Sequence, residues 1–259
     1  MALTGENDAI YPSLKQRVVL ITGGASGIGA SHVAHFAAQG ARVAFVDIDA
    51  GRAAAVVATV ERAGLAAPLF LPCDLLDIAA LQRAAAEVAD RLGPVEVLVN
   101  NAAHDQRHRW EGLTVADWED RLNVNLRHQF FAIQAVAPGM QRAGRGSIVN
   151  TGSVSWRRGQ GGMPAYTSSK AAVEGLSRSF ARDLGGDGIR VNTVIPGWIM
   201  TERQKTLWLT PADEAATLAA QCLKRMLQPD DVSRLVLWLA ADDSRMCTAH
   251  CWVVDAGLS

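Results

Sequence analysis

The sequence predicts an α/β fold, one doubly wound parallel sheet of about seven strands flanked by helices. Short β-branched runs ending in Gly, Asp or Asn alternate along the chain with longer Ala-rich runs of helical spacing. Several of the short runs are apolar throughout, as parallel strands covered on both faces are. Strand, helix, strand repeated this often implies a doubly wound sheet.

The expected strands, in order, are RVVLIT (17–22), ARVAFVD (41–47), APLFLP (67–72), VEVLVN (95–100), GSIVNT (146–151), IRVNTVIP (189–196) and CWVVD (251–255). Between them the helical spacing predicts helices over 28–39, 51–63, 78–92, 115–140, 165–184, 212–224 and 230–241. No Pro/Ser linker, low-complexity tract or repeat interrupts the pattern. Residues 1–259 therefore read as a single domain, with 1–15 as an N-terminal extension.

The bulk properties exclude several classes. A net charge of −1 offers nothing to nucleic acid or to a membrane surface. No apolar run reaches the roughly 18 residues of a spanning helix, and MALTGENDAIYPSLKQR lacks the features of a secretory signal. The four cysteines form no CxxC pair and read as reduced thiols of a cytoplasmic protein. No metal is expected, although Cys247, Cys251 and His250 would be the set to hold one.

In such sheets ligands bind beyond the carboxyl ends of the strands. TGGASGIG (22–29) follows the first strand and opens the first helix. Gly23, Gly27 and Gly29 allow a tight turn and close approach of a phosphate, and the helix N-terminus offers free N–H groups and partial positive charge to a pyrophosphate. Asp47 ends the second strand, 18 residues beyond Gly29. A carboxylate there can accept from adenosine ribose hydroxyls and repel a 2′-phosphate, which favours NAD over NADP. Asp47 could instead cap the next helix, a role equally open to Asp49. Asp74, after the third strand, could touch adenine or cap a helix.

AYTSSK (165–170) places Tyr166 and Lys170 at i and i+4, on one helix face. A nearby ammonium favours phenolate, so Tyr166 could act as a general base near neutral pH. Ser153 lies 13 residues upstream and could hold a substrate oxygen. Asn125 sits in the interior of an expected helix, where asparagine is a mediocre former, so it reads as having a polar task.

Together these segments resemble the short-chain dehydrogenase/reductase family over nearly the whole chain: TGGASGIG, NNAA where the family has NNAG, Asn125, Ser153, Tyr166 with Lys170, and IPGWIMT. The resemblance implies a Rossmann-like fold and a tetrad of Asn125, Ser153, Tyr166 and Lys170. Tyr166 would be the acid/base, Lys170 would hold the nicotinamide ribose and lower the tyrosine pKa, and Asn125 would keep a water relay to the lysine. Asn101 and Ala102 would line the cofactor, and Ile199 and Thr201 would meet the carboxamide. Ser26, Ile28, Leu75, Pro196 and Gly197 belong to the same cofactor-binding segments. A homotetramer is implied, built on the helices near 115–140 and 165–184 with the last strand at another contact. AIYPSLK, DQRH, NVNLRH, QAVAPGM, SVSW, AAQCLK and CTAH are similar to the family's bacterial NAD-dependent sugar 1-dehydrogenases, which oxidise an aldose such as D-xylose at the anomeric carbon. Ala103, His104 and DAG (255–257) depart from the usual pattern, His104 next to the expected substrate pocket.

A sugar substrate would explain why the buried strand 95–100 opens onto NAAHDQRHRW. Its hydroxyls need fixed donors and acceptors: Asp105 to accept, Arg107 and His108 to donate. Trp156 and Trp198 could stack on a ring's C–H face, Trp198 being equally suited to the core. Arg203 and Gln204 could close over the substrate or be solvated.

Overall fold

The computed structural model describes residues 9–259. Residues 1–8 of the expected extension lie outside the described residues. The rest of that extension holds a 3-10 turn, Pro12–Leu14, with Leu14 buried in the core.

Seven strands form one parallel sheet: β1 (Val18–Thr22), β2 (Arg42–Asp47), β3 (Leu69–Pro72), β4 (Val97–Asn100), β5 (Gly146–Thr151), β6 (Ile189–Pro196) and β7 (Cys251–Val254). Their spatial order is β3-β2-β1-β4-β5-β6-β7. The chain winds outward in one direction from β1 and in the other from β4, so the switch point lies between these two strands. There Thr22 pairs with Asn100.

The helices are α1 (Gly27–Ala38), α2 (Ala50–Arg62), α3 (Ile78–Leu92), α4 (Val115–Leu122), α5 (His128–Ala143), α6 (Pro164–Leu184), α7 (Glu202–Leu207), α8 (Pro211–Ala220) and α9 (Pro229–Ala240). Strand alternation sends Val19 and Ile21 into a core with α1, α2 and α9, and Val18 and Leu20 into a second core with α3, α5 and α6. Every β1 residue is therefore buried, and each such aliphatic side chain contributes about 1.5–3 kcal/mol.

The strands follow the sequence expectation to within two residues at their ends. The helices depart from it in three places. The expected helix over 115–140 is α4, a π-helical segment at Asn123–Arg127, and α5, which runs on to Ala143. The break has a cause: Asn125 Nδ2 donates to Arg121 O at 2.9 Å, occupying the carbonyl that an α-helix would reserve for the Asn125 N–H. The expected helix over 212–224 ends at Ala220, because Lys224 Nζ folds back onto the carbonyls of Leu218 and Ala219, 3.0 Å each, and of Gln221. The six-residue α7 was not expected at all; Thr201 caps it through Gln204 N.

Candidate active site

A cleft of about 1350 Å³ runs along the carboxyl ends of the strands. Its floor is the switch point. Thr22 Oγ1 accepts from Asn101 N at 3.0 Å and Ala102 N at 3.1 Å, while Asn101 Nδ2 donates to the carbonyls of Thr22 and Gly23, both 3.1 Å. Asn101 thus ties the end of β4 to the glycine turn. The turn leaves no room for a side chain: a Cβ on Gly29 would lie 1.9 Å from the Gly23 carbonyl oxygen, and Gly23 itself has φ +69° against Ala102.

The N-terminus of α1 is open. Its N-cap, Ser26, makes no side-chain cap bond, and its first turn holds no acid, whereas Asp49 caps α2 through Arg52 N and Asp77 caps α3 through Ala80 N. The unpaired N–H groups of α1 face a cleft lined by Gly23, Ser26, Gly27 and Ile28, a fit for a pyrophosphate. Asp49, and not Asp47, is therefore the helix cap. Asp47 Oδ2 accepts from Ala25 N at 2.9 Å and Oδ1 from Asp49 N at 3.1 Å. A carboxylate offers about four acceptor sites, which leaves capacity for ribose hydroxyls. Asp74 likewise caps no helix. It accepts from Leu76 N and lines the same end of the cleft with Leu75. Pro196, Gly197, Ile199 and Thr201 line the opposite wall.

At the centre, α6 presents Tyr166 and Lys170. Lys170 is fully buried, its Nζ donating to Thr151 O at 2.7 Å and lying 5.8 Å from the centre of the Tyr166 ring. Burial pushes Lys170 down to about 7, against a raising influence from Asp105. Burial pushes Tyr166 up to about 12; Ser153, hydrogen-bonded to its hydroxyl, pulls the other way, and the charge of Asp105 adds to the rise. The sequence argument has Lys170 lowering the tyrosine. Among the protein's own groups burial wins, because the same desolvation that raises the phenol also removes charge from the lysine.

Asn125 does not reach the cleft. It is fully buried and holds the wall from behind: Oδ1 accepts from His104 N at 2.9 Å and Nδ2 donates to His104 O at 3.1 Å. Its own carbonyl accepts from Gln129 Nε2 at 3.2 Å. It is a positioning residue for the loop after β4.

The substrate end gathers Asp105, Trp198, Arg203 and Gln204 from segments far apart in sequence. Asp105 accepts from Arg203 Nε at 3.1 Å and from Gln204 Nε2 at 2.5 Å, and Gln204 Oε1 accepts from Trp198 Nε1 at 2.8 Å. Arg107 also lines the cleft, its guanidinium 4.5 Å from the Trp208 ring. Two expected residues do not line it. The His108 ring Nε2 accepts from Ala165 N at 3.4 Å and its backbone N donates to Gly162 O, so it serves the start of α6. Trp156 turns away beneath Arg157, 5.3 Å from its ring. Nearness to Ser153 in sequence does not fix a side chain's direction within a turn.

Residues 23–259 match the family described as Enoyl-(Acyl carrier protein) reductase. The chain is 47% identical to the D-xylose 1-dehydrogenase of Caulobacter vibrioides over 251 residues, covering 97% of this chain and 99% of that one. It is 49% identical to the "Probable galactose dehydrogenase GalD" of Rhizobium meliloti over 248 residues, 96% of this chain and 97% of that one. The solved structure of a short-chain type dehydrogenase/reductase from Mycobacterium ulcerans superposes with a TM-score of 0.90 at 26% identity, covering 95% of this chain and 90% of that one. The chain belongs to the short-chain dehydrogenase/reductase family. It is an oxidoreductase acting on CH–OH donors.

Three further residues of this short-chain dehydrogenase/reductase serve the cleft without a signal in the sequence. Thr22 stands at the edge of the TGGASGIG motif, where nothing in the sequence marks its hydroxyl as the acceptor that joins β1 to the loop after β4. Trp208 and Arg158 line or support the substrate end through loop packing that carries no periodic signal. Among the described residues no group of three or more His, Cys, Asp or Glu side chains is placed to hold a metal, and no helix is long and apolar enough to cross a membrane.

Proposed function

We propose that this short-chain dehydrogenase/reductase oxidises an aldose, D-xylose foremost, at its anomeric carbon, with NAD as acceptor, giving NADH and the aldonolactone. The Asp105–Gln204–Trp198 network beside Tyr166 carries the reading. It is a wall of fixed donors and acceptors with an aromatic edge, suited to hydroxyls and poorly suited to an acyl chain. D-galactose is the second reading, favoured by the likeness to the galactose enzyme; L-arabinose and D-glucose are its nearest variants.

The chain's residues have these roles. Ser153 holds the C1 oxygen. Tyr166 takes its proton as hydride leaves C1. Lys170, beneath the phenol, would favour phenolate in its charged form and would hold the nicotinamide ribose. Asn125 keeps the loop after β4, and the water relay to Lys170, in place. NAD, when bound, supplies the hydride acceptor. Gly23, Ser26, Gly27, Ile28 and Gly29 would seat its pyrophosphate, Asp47 its adenosine ribose, Asp74 and Leu75 its adenine. Asn101, Ala102, Pro196, Gly197, Ile199 and Thr201 would flank the nicotinamide half. No guanidinium or ammonium lies within the glycine turn to draw in a 2′-phosphate, which supports NAD over NADP.

The whole chain acts as one domain, in a homotetramer. Support comes from apolar side chains left at the surface on the faces named by the resemblance: Val115, Trp118 and Phe130 on the α4–α5 side and Val253 on the edge strand β7. Four free thiols suit a cytoplasmic setting. Product analysis tests the central reading: one aldonolactone formed per NADH supports it, and NADH without lactone removes the anomeric carbon as the site.

A further inference from the structure

Two guanidiniums on the cleft, Arg107 and Arg158, make no ion pair among the described residues. Six acids line the cleft, and five are engaged. Asp47 and Asp74 accept backbone N–H groups, Asp105 holds Arg203 and Gln204, Glu202 pairs with Lys205, and Asp213 closes the capping box of α8. The Asp120 carboxylate, whose charge acts on His104, makes no hydrogen bond or ion pair among the described residues. Four arginines line the same cleft. Arg52 pairs with Asp49 and Arg203 with Asp105. Arg107 has only the Trp208 ring, and the Arg158 guanidinium has no partner among the described residues.

These two guanidiniums come from loops that are pinned together. His108 N, next to Arg107, donates to Gly162 O at 2.7 Å, and Gln160 N donates to Ser155 O at 2.9 Å, folding the Arg158 turn back under that joint. Ala165 N closes the link onto the His108 ring. Arg107 is exposed on the rim of the cleft, with its guanidinium 4.5 Å from the Trp208 ring. A fork of five N–H donors on each guanidinium matches the planar acceptor edge of a carboxylate or phosphate.

We infer that the far end of the substrate cleft, at Arg107 and Arg158, receives an anionic group on the carbon most distant from C1, so that the enzyme also oxidises acidic aldoses, either aldohexuronates or aldose 6-phosphates. This rests on the aldose reading above and extends it. Hydride and proton leave C1 as before; the acid group is untouched and serves only to hold the sugar.

The test compares kcat/KM with NAD for D-galactose, D-galacturonate and D-galactose 6-phosphate, in the wild type and in Arg158→Leu, at low and high salt. The inference predicts that one acidic sugar exceeds D-galactose by about tenfold or more, the scale of a charge-assisted hydrogen bond. It also predicts that the preference lies in KM, shrinks with salt and collapses in Arg158→Leu. Preference for galacturonate assigns the carboxylate, and preference for the 6-phosphate assigns the phosphate. D-galactose oxidised as well as or better than both acids, with a ratio unmoved by Arg158→Leu, overturns the inference and leaves the aldose reading standing. If no sugar, acidic or neutral, yields NADH, the aldose reading falls and takes the inference with it.

Discussion

Asn125 grips the main chain of His104 on both sides, Oδ1 accepting from its N–H at 2.9 Å and Nδ2 donating to its carbonyl at 3.1 Å. The pairing spans 21 residues and replaces a strand-like contact that the loop after β4 does not have. It explains both the π-helical segment and the set of the loop that carries Asp105. Asn125→Ala leaves the part-buried main-chain N–H and C=O of His104 without these partners, each costing up to about 1 kcal/mol. The variant is expected to melt several degrees lower, read by calorimetry, and to lose turnover more than NADH affinity, read by fluorescence titration.

Asp105 touches the chemistry electrostatically as well as through the substrate wall, its charge helping to raise Tyr166 and to raise Lys170. Asp105→Asn removes a negative charge, so phenolate becomes easier to form. The rising limb of log kcat/KM against pH, which reports the base, is expected to move toward lower pH, while KM for the aldose rises about tenfold as one of the two donors, Arg203 or Gln204, loses its acceptor oxygen. A KM change with an unmoved pH profile would confine Asp105 to binding.

Two histidines are buried neutral. Burial holds both His32 and His128 at about 3. Between about 3 and the ordinary value of 6.5 the unfolded chain binds protons that the native protein does not. Stability therefore rises with pH through that window and is lost as pH falls below 6.5, at up to roughly 1.4 kcal/mol per pH unit for each histidine. Urea midpoints are expected to drop steeply from pH 6.5 to 4.5, and His128→Leu, which removes one of the two buried rings, is expected to flatten that slope by about half.

Asp47→Ala removes the acceptor for Ala25 N as well as the proposed ribose contact. KM for NAD is expected to rise about tenfold or more and the NAD-to-NADP ratio of kcat/KM to fall. Unchanged cofactor selectivity would restrict Asp47 to bracing the glycine turn.

Much of the fold was legible because parallel strands announce themselves as apolar runs, and the Tyr166–Lys170 spacing fixes a shared helix face whatever the surroundings. The parts that were not legible depend on contacts between distant segments. The helix break at Asn123 comes from the Asn125 amide taking the Arg121 carbonyl while it also holds a loop 21 residues earlier, a pairing that no local spacing signals. The six-residue α7 is too short for periodicity to show, and Lys224 ends α8 by folding back from beyond it. His108 and Trp156 were assigned to the substrate by neighbourhood alone, and the turns that carry them point their side chains elsewhere. Asp47 and Asp74 were each left between two roles, and the caps supplied by Asp49 and Asp77 free both for the cleft.

The most direct test of the central claim is the initial rate of NADH formation with D-xylose, D-galactose, L-arabinose and D-glucose at equal concentration, repeated with NADP and with Tyr166→Phe. The account predicts turnover of at least one of these sugars, D-xylose fastest, with NAD preferred and the rate lost by a factor of about 10²–10⁴ in the variant, the contribution expected of a positioned acid/base. Sugar oxidation that survives Tyr166→Phe, or no oxidation of any aldose by a protein that still binds NADH, would contradict it.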